Sequence, residues 1–197
     1  MHTQIQESKL ALRREMRERL AKLPEPQRVA ASARAQALLV EQKIWRQAKS
    51  ILFYAPLPGE LDLWPLVASS LGAGKIAALP RYDASEKKYV AARIADLVRD
   101  VRPGQFDIRE PGDHCARVPF DQLDLVLVPG TAFDLRGRRL GRGKAHYDQF
   151  LPLVRGCTCG VGFDEQIVGE IPVEPHDVRV KSILTPTRFV AVESLNR

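Results

Sequence analysis

The first 45 residues carry apolar side chains at helical spacing. In residues 5–23 these positions recur every three or four residues, which places them on one face of an α-helix. They are Leu12, Met16, Leu20 and Leu23. The prolines of "LPEP" end the pattern, and a second apolar stripe predicts another helix over about residues 27–45.

Short apolar runs then replace the helical pattern. The clearest runs are "SILFYAPL", "KIAALPRY", "LDLVLVPG" and "TCGVGF", and the weaker ones are "KKYVAARI" and "ILTPTRFVAV". Strands without polar alternation are typical of a sheet that is buried on both faces. We therefore predict an α/β fold in one domain, residues 1–197, with a mostly parallel sheet covered by helices. Residues 95–119 are rich in proline and glycine and are expected to form a long surface loop.

Composition excludes several classes of protein. Hydrophobic residues make up 45% and charged residues 27% of the chain, which is typical of a globular protein and excludes intrinsic disorder. The sequence has neither an apolar run of membrane-spanning length nor a signal-like N-terminus, so we expect a cytoplasmic protein. The net charge of +6 favours an anionic partner, which leaves nucleic acid, nucleotide and polycarboxylate metabolite open.

The three cysteines favour structural roles. Cys157 and Cys159 are separated by one residue and have no histidine nearby, and Cys115 is distant in sequence. This spacing is poor for a metal site, and an odd number of cysteines argues against a disulfide framework.

The stretch "RGRRLGRGKAHYD", residues 136–148, contains five cations and three glycines. It follows the strongest predicted strand, and ligands bind at the carboxyl ends of strands in open parallel sheets. The stretch is not a Walker A loop, because Ala145 stands where a Ser or Thr would hold magnesium, and it lacks the third glycine of a dinucleotide fingerprint.

The residue types of this loop nevertheless suit an anion. Gly141 and Gly143 allow the backbone to approach a phosphate, and "KAHYDQFLPLV" predicts a helix that begins at the same place. Asp148, one turn after Lys144, could hold a magnesium ion that bridges phosphates. A solvated basic loop without a ligand is the alternative, and an RNA-binding loop is another, although only Tyr147 offers a stacking platform for a base.

Six sequence blocks resemble the 5-formyltetrahydrofolate cyclo-ligase family in order. The loop block is "VPGTAFDLRGRRLGRGKAHYDQFL", and the others are "KLALR", "YAPLPGELD", "LPRYD", "IREP" and "FDEQIVGEIPVEPHDVRV". The resemblance implies a three-layer α/β/α fold of the NagB/RpiA/CoA transferase-like type. It also implies an ATP- and Mg²⁺-dependent ligase in which the formyl oxygen of 5-formyltetrahydrofolate is phosphorylated, N10 attacks the activated carbon, and phosphate leaves. The products are 5,10-methenyltetrahydrofolate, ADP and phosphate.

The resemblance also implies a set of site residues. ATP contacts are expected at Lys9, Arg13, Arg139, Leu140, Gly141, Arg142, Gly143, Lys144, Ala145, His146 and Tyr147. Folate contacts are expected at Tyr54, Ala55, Glu60, Arg142, Gly143, Lys144, Ala145 and His146. Arg142 and Lys144 are the candidate catalytic residues, and Asp148 and Asp177 are the candidate magnesium ligands. His176 is expected to be a structural hydrogen-bonding residue.

Two departures from the family pattern bear on function. The family commonly has Gly-Tyr-Tyr-Asp where this chain has Ala145 to Asp148, so an imidazole replaces one aromatic ring and could make folate binding depend on pH. Lys181 stands where the family often has an acid.

We expect a monomer that binds small molecules and neither nucleic acid nor membrane. A non-catalytic folate- or nucleotide-binding relative and a basic RNA-binding domain are the alternatives.

Overall fold

The computed structural model describes residues 2–104, 108–143 and 146–193. The helices are α1 (His2–Ala21), α2 (Glu25–Glu41), α3 (Lys43–Gln47), α4 (Trp64–Gly72) and α5 (His146–Phe150). The strands are β1 (Ser50–Leu52), β2 (Ile76–Asp83), β3 (Lys88–Ile94), β4 (Val101–Pro103), β5 (Arg109–Pro111), β6 (Arg117–Val118), β7 (Leu125–Pro129), β8 (Ala132–Asp134), β9 (Arg139–Leu140), β10 (Cys157–Val161), β11 (Ile167–Val168), β12 (Ser182–Leu184) and β13 (Phe189–Ala191).

Eight strands form one mixed sheet in the order β13-β12-β10-β7-β1-β2-β3-β6. The pairs along β12-β10-β7-β1-β2 are parallel, whereas β13, β3 and β6 pair antiparallel with their neighbours. The carboxyl ends of β1, β2 and β7 therefore meet at one edge. The Asp124 carboxylate accepts hydrogen bonds from the Lys49 and Ser50 backbone N–H groups, which ties the start of β1 to that of β7.

Both faces of the sheet are buried, because successive side chains of the central strands pack into apolar clusters on opposite faces. Ile51 joins an apolar cluster with the buried residues of α2 and α4, whereas Leu52 joins a separate cluster with Phe150 of α5. Strands covered on both sides explain the continuous apolar runs of the sequence. Helix α1 instead packs Met16 against Leu140 and the three-stranded sheet β11-β8-β9.

Several predicted elements differ in extent from the observed ones. The second helix is divided at Gln42, whose extended backbone ends α2 and begins α3. Residues 95–119 are not one loop, because β4 and β5 form a hairpin and β6 extends the main sheet. The last run is two antiparallel strands, β12 and β13, so the sheet is mixed. In the part of the chain that the structure describes, every helix is too short or too polar to cross a membrane.

Candidate functional site

A cavity of about 810 Å³ opens at the carboxyl ends of β1, β2 and β7. Its volume lies in the range of small-molecule sites. It is lined by Tyr54, Ala55, Leu57, Glu60, Pro80, Tyr82, Tyr89, Ile108, Arg109, Glu110, Pro129, Gly130, Arg139, Gly141, Arg142, His146, Tyr147, Asp148 and Phe150.

A buried carboxylate and an exposed guanidinium meet at the wall of this cavity. Arg142 Nη2 donates a hydrogen bond of 2.8 Å to Glu60 Oε1, and the Leu57 backbone N–H donates one of 3.0 Å to Glu60 Oε2. The Glu60 side chain is 9% exposed, whereas that of Arg142 is 55% exposed. Burial raises the pKa of Glu60 above its ordinary value, and the Arg142 charge opposes this shift without cancelling it.

Three rings form an aromatic wall. Tyr89 contacts His146 with 4.5 Å between ring centroids and contacts Tyr82 edge to face at 5.4 Å. The two tyrosines face each other across the antiparallel pair β2 and β3. Burial raises the pKa of Tyr89, so this ring stays neutral at ordinary pH. Such a wall can stack against a flat heterocycle.

A second ion pair lies at the start of α5. Arg139 Nη2 donates to Asp148 Oδ2 at 2.8 Å, and the two side chains are 4% and 13% exposed. The Arg139 guanidinium also lies 5.6 Å from the centroid of the Tyr147 ring. Arg139 Nε is buried without a hydrogen-bond partner in the structure, which leaves one donor near the cavity wall unused.

Lys9 is buried between two acids. Its Nζ lies 2.9 Å from Glu174 Oε2 and 2.5 Å from Asp177 Oδ2, and its side chain is 6% exposed. Gln6 Nε2 also donates to Glu174 Oε2, at 2.6 Å. The predicted structural role of His176 stays a prediction; its Nε2 lies 3.8 Å from Asp177 Oδ1. Helix α1 is thereby held to residues 174–177.

Arg13, one turn after Lys9, contacts the glycine loop. Its Nε donates a hydrogen bond of 2.9 Å to the Gly141 carbonyl. Burial lowers the pKa of Arg13, and the charges of Asp177 and Glu174 oppose this shift. Gly143 has φ of +99°, a conformation that a residue with a Cβ rarely adopts, so the loop geometry depends on this glycine.

The structure brings many of the predicted site residues to one cavity. Those that line it are Tyr54, Ala55, Glu60, Arg139, Gly141, Arg142, His146, Tyr147 and Asp148. Lys9, Arg13, Leu140, Gly143 and Asp177 lie outside this lining, and Leu140 is buried beneath α1. Lys144 and Ala145 fall outside the residues that the structure describes. The described part of α5 is five residues long. Its dipole would therefore favour a bound anion less than the dipole of the longer predicted helix.

Other lining residues were missed from the sequence. Tyr82 and Tyr89 line the cavity because β2 and β3 pair beside it, and Arg109 and Glu110 reach it from the start of β5. Tyr82 and Glu110 belong to the "LPRYD" and "IREP" blocks, and those blocks were the available signal.

Comparisons with known proteins identify the family of the chain. The model of the 5-formyltetrahydrofolate cyclo-ligase family matches residues 5–186. The mouse 5-formyltetrahydrofolate cyclo-ligase is 29% identical and the alignment covers 91% of this chain and 94% of the mouse protein. The Haemophilus influenzae protein of the same name is 30% identical, with 93% and 99% covered.

A solved structure extends the likeness to three dimensions. The NMR structure of Aquifex aeolicus 5,10-methenyltetrahydrofolate synthetase matches with a TM-score of 0.85 and 30% identity, covering 96% of both chains. The family resemblance inferred from six ordered blocks is confirmed. The chain belongs to the 5-formyltetrahydrofolate cyclo-ligase family.

Proposed function

We propose that this protein is an enzyme that converts 5-formyltetrahydrofolate to 5,10-methenyltetrahydrofolate with ATP and Mg²⁺, releasing ADP and phosphate. One observation carries the proposal. Four blocks that are far apart in sequence, "YAPLPGELD", "LPRYD", "IREP" and the glycine loop, supply the walls of a single cavity at the carboxyl ends of parallel strands.

The folate is proposed to bind between Glu60 and the aromatic wall. The wall, formed by Tyr82, Tyr89 and His146, offers a face for the pterin ring. The Glu60 carboxylate is buried and accepts hydrogen bonds only, so it suits the N–H edge of a pterin. The Tyr54 hydroxyl donates a hydrogen bond of 2.9 Å to the Leu61 carbonyl, which fixes the Tyr54 ring in the lining of the cavity.

The triphosphate is proposed to bind at the glycine loop. Phosphoryl transfer depends mainly on positioning and on neutralising charge, so backbone N–H groups and cations are the groups it requires. Arg142 is proposed to move from Glu60 to the transferred phosphoryl group, because its exposed side chain is free to change conformation. Lys144 is proposed as the second catalytic cation. Arg13 positions the loop through the Gly141 carbonyl, and Lys9 positions Asp177.

Asp148 and Asp177 are the proposed magnesium ligands, because carboxylate oxygens are the ligand type that Mg²⁺ prefers. Among the described residues, Asp148 Oδ1 accepts one long hydrogen bond of 3.4 Å, from Val178 N, and Asp177 Oδ1 lies 3.8 Å from His176 Nε2, so each acid has a lightly engaged oxygen. Asp148 and Asp177 would hold the ion together with phosphate oxygens, as Mg²⁺ sites commonly do. When bound, the ion would neutralise charge on the phosphates.

The proposal also covers the domain organisation, the fold type, the location and the partners of the protein. We propose one cyclo-ligase domain over residues 1–197 with the NagB/RpiA/CoA transferase-like arrangement, acting as a cytoplasmic monomer without a nucleic-acid or membrane partner. The positive net charge suits two anionic ligands, ATP and a folate that can carry a glutamate tail.

The test is a direct assay of ring closure. Purified protein is mixed with 5-formyltetrahydrofolate, ATP and Mg²⁺, and the ultraviolet absorption of the methenyl product is followed. We expect product only when all three components are present. Binding of folate and ATP by calorimetry without turnover would instead identify a non-catalytic relative, and salt-dependent RNA binding without either ligand would identify an RNA-binding domain.

A further inference from the structure

Three side chains of different chemistry meet where the β4–β5 hairpin closes. Asp100 immediately precedes β4, and His114 and Cys115 follow β5 by a short turn. One donor atom from each of these residues lies within 4.8 Å of the others. The family resemblance assigns no role to any of the three.

The distances match the edges of a tetrahedral metal site. His114 Nε2 lies 3.1 Å from Asp100 Oδ1 and 3.7 Å from Cys115 Sγ. Zinc bonds of ordinary length at tetrahedral angles place a nitrogen about 3.4 Å from an oxygen ligand and about 3.6 Å from a sulfur ligand. The two separations that involve His114 Nε2 are therefore close to those that a zinc ion would impose, and the third pair of donors lies within 4.8 Å.

The arrangement does not suit a catalytic triad. In a triad the two imidazole nitrogens face different partners, the nucleophile and the orienting acid. Here the same nitrogen, Nε2 of His114, faces both Cys115 and Asp100.

Neighbouring groups hold the three donors in place. The buried Arg81 donates from Nη1 to the Gly112 carbonyl at 2.6 Å and to the Cys115 carbonyl at 3.3 Å. A Cβ at Gly112 would lie 2.7 Å from the His114 ring, so the imidazole occupies space that only glycine leaves open. Asp100 Oδ2 accepts the backbone N–H groups of Ala95 and Asp96, the kind of outer contact that orients a carboxylate ligand.

One cation competes for the carboxylate. Arg99 Nε donates to Asp100 Oδ1 at 2.7 Å, but the Arg99 side chain is 69% exposed while that of Asp100 is 4% exposed. Arg99 Nη2 also donates to Asp100 Oδ2, at 3.3 Å, so the exposed arginine can turn into solvent at small cost only when another cation takes its place at the buried carboxylate. A metal ion would therefore replace Arg99 as the partner of Asp100 Oδ1.

We propose that Asp100, His114 and Cys115 bind a divalent transition-metal ion, with Zn²⁺ the best match. A thiolate, an imidazole and a carboxylate are each zinc ligands, and the thiolate and imidazole disfavour Mg²⁺ and Ca²⁺. The thiol proton passes to solvent when the sulfur binds the ion. Water or another small ligand completes the tetrahedron on the side of His114, whose side chain is 58% exposed.

Such an ion would close the hairpin at its base. It would join the residue before β4 to the two residues that follow the turn after β5. Ile108, Arg109 and Glu110, between these ends, line the large cavity. The metal would thereby fix one wall of that cavity without contacting the molecules that bind there. This structural role does not depend on which reaction the cavity supports.

The test is metal binding by the 197-residue chain after removal of metals with a chelator. We expect one Zn²⁺ per chain by calorimetry, and a Co²⁺ complex with the near-ultraviolet band of a thiolate ligand. Cys115→Ser and His114→Asn should each weaken binding by more than about 100-fold, because loss of an outer contact alone costs up to that much. Arg99→Ala should tighten binding, because it removes the competing cation.

Matched variants separate this site from others. Cys157→Ser changes a cysteine in β10 and should leave the Co²⁺ band and the Zn²⁺ affinity unchanged. His176→Asn tests the second group of donors, Glu174, His176 and Asp177. The proposal is overturned if no Zn²⁺ binds at micromolar concentration, if binding survives both Cys115→Ser and His114→Asn, or if His176→Asn alone removes it.

Discussion

Arg142 holds its guanidinium over the buried carboxylate of Glu60, with 2.8 Å between Nη2 and Oε1. The net effect on the Glu60 pKa is an increase, because burial raises this pKa more than the exposed Arg142 cation lowers it. When folding raises the pKa of a carboxyl group, the protonated group favours the folded state. The stabilisation is complete below the pKa that the group has in the unfolded chain, and it is lost as pH rises through the pKa that it has in the folded protein. Ionised Glu60 therefore reduces stability at neutral pH.

Glu60→Gln should increase stability and reduce activity. Glutamine has the same shape and stays neutral, so we expect Tm at pH 7.5 to rise by about 2 °C, a change on the order of 1 kcal/mol, and the gain to vanish near pH 4. Turnover should fall at least tenfold if the carboxylate binds the pterin. Calorimetric Tm and the ring-closure assay measure the two effects, with Glu18→Gln on the exposed face of α1 as control. A lower Tm at pH 7.5 would contradict the assignment of unfavourable burial.

Arg142→Ala should move the acid limb of the activity profile. The Arg142 charge lowers the pKa of Glu60, so its removal raises that pKa further. If folate binding requires ionised Glu60, kcat/KM should begin to fall at a higher pH in Arg142→Ala than in the wild-type protein. Arg142→Lys keeps a positive charge and should move the limb less. Superimposable limbs in all three proteins would show that Glu60 is not the titrating group.

The glycine loop illustrates what the sequence could predict. Its position after a strand, its two glycines and its cations were sufficient to predict a candidate site at the end of β7, where the cavity lies, because those features act locally along the chain. The partners of Arg13 and Lys9 were not predictable, because Gly141, Glu174 and Asp177 lie more than 120 positions away. Their contacts depend on how α1 packs against the three-stranded sheet.

The β4–β5 hairpin shows the opposite case. Pro103, Gly104, Pro111 and Gly112 predicted a loop, since these residues usually interrupt strands. The structure pairs Val101 with Pro111 and Pro103 with Arg109 in a two-stranded sheet, where proline is tolerated at an edge. The adjacency of His114 and Cys115 was visible in the sequence, but the proximity of Asp100 becomes evident only when the hairpin closes.

Asp148→Ala and Lys144→Ala should each lower turnover at least tenfold, through lost metal and phosphate contacts respectively. Asp148→Ala also leaves the buried Arg139 without its acid and should reduce stability by about 3 kcal/mol. Asp148→Asn separates the two effects, because the amide can still accept from Arg139 Nη2. We expect this variant to stay folded and to require at least tenfold more Mg²⁺ for half-maximal rate. Wild-type rates in both alanine variants would refute the assigned roles.

Lys9→Met should unfold more readily than the wild-type protein. The substitution leaves Glu174 and Asp177 without the buried cation between them, which we expect to cost about 3 kcal/mol by chemical denaturation. Adding Glu174→Gln removes one of the two acids and should restore at least about 1 kcal/mol, whereas exposed Lys22→Met should change little. If Lys9 also contacts ATP, the restored double variant should keep an elevated KM for ATP. A wild-type KM in that variant would limit Lys9 to a positioning role.

His146→Tyr should remove a pH dependence from folate binding. His146 contacts Tyr89 on the cavity wall, and an imidazole gains charge in the range where a tyrosine ring stays neutral. We expect the ratio of the dissociation constants of His146→Tyr and wild type for 5-formyltetrahydrofolate, without ATP, to change between pH 5.5 and 8. Using the ratio cancels the titration of Glu60, which both proteins share. Tyr89→Phe keeps the ring contact and should give a constant ratio to wild type, because burial raises the pKa of Tyr89 away from this range. A constant ratio for His146→Tyr over the same interval would show that the imidazole does not sense the folate.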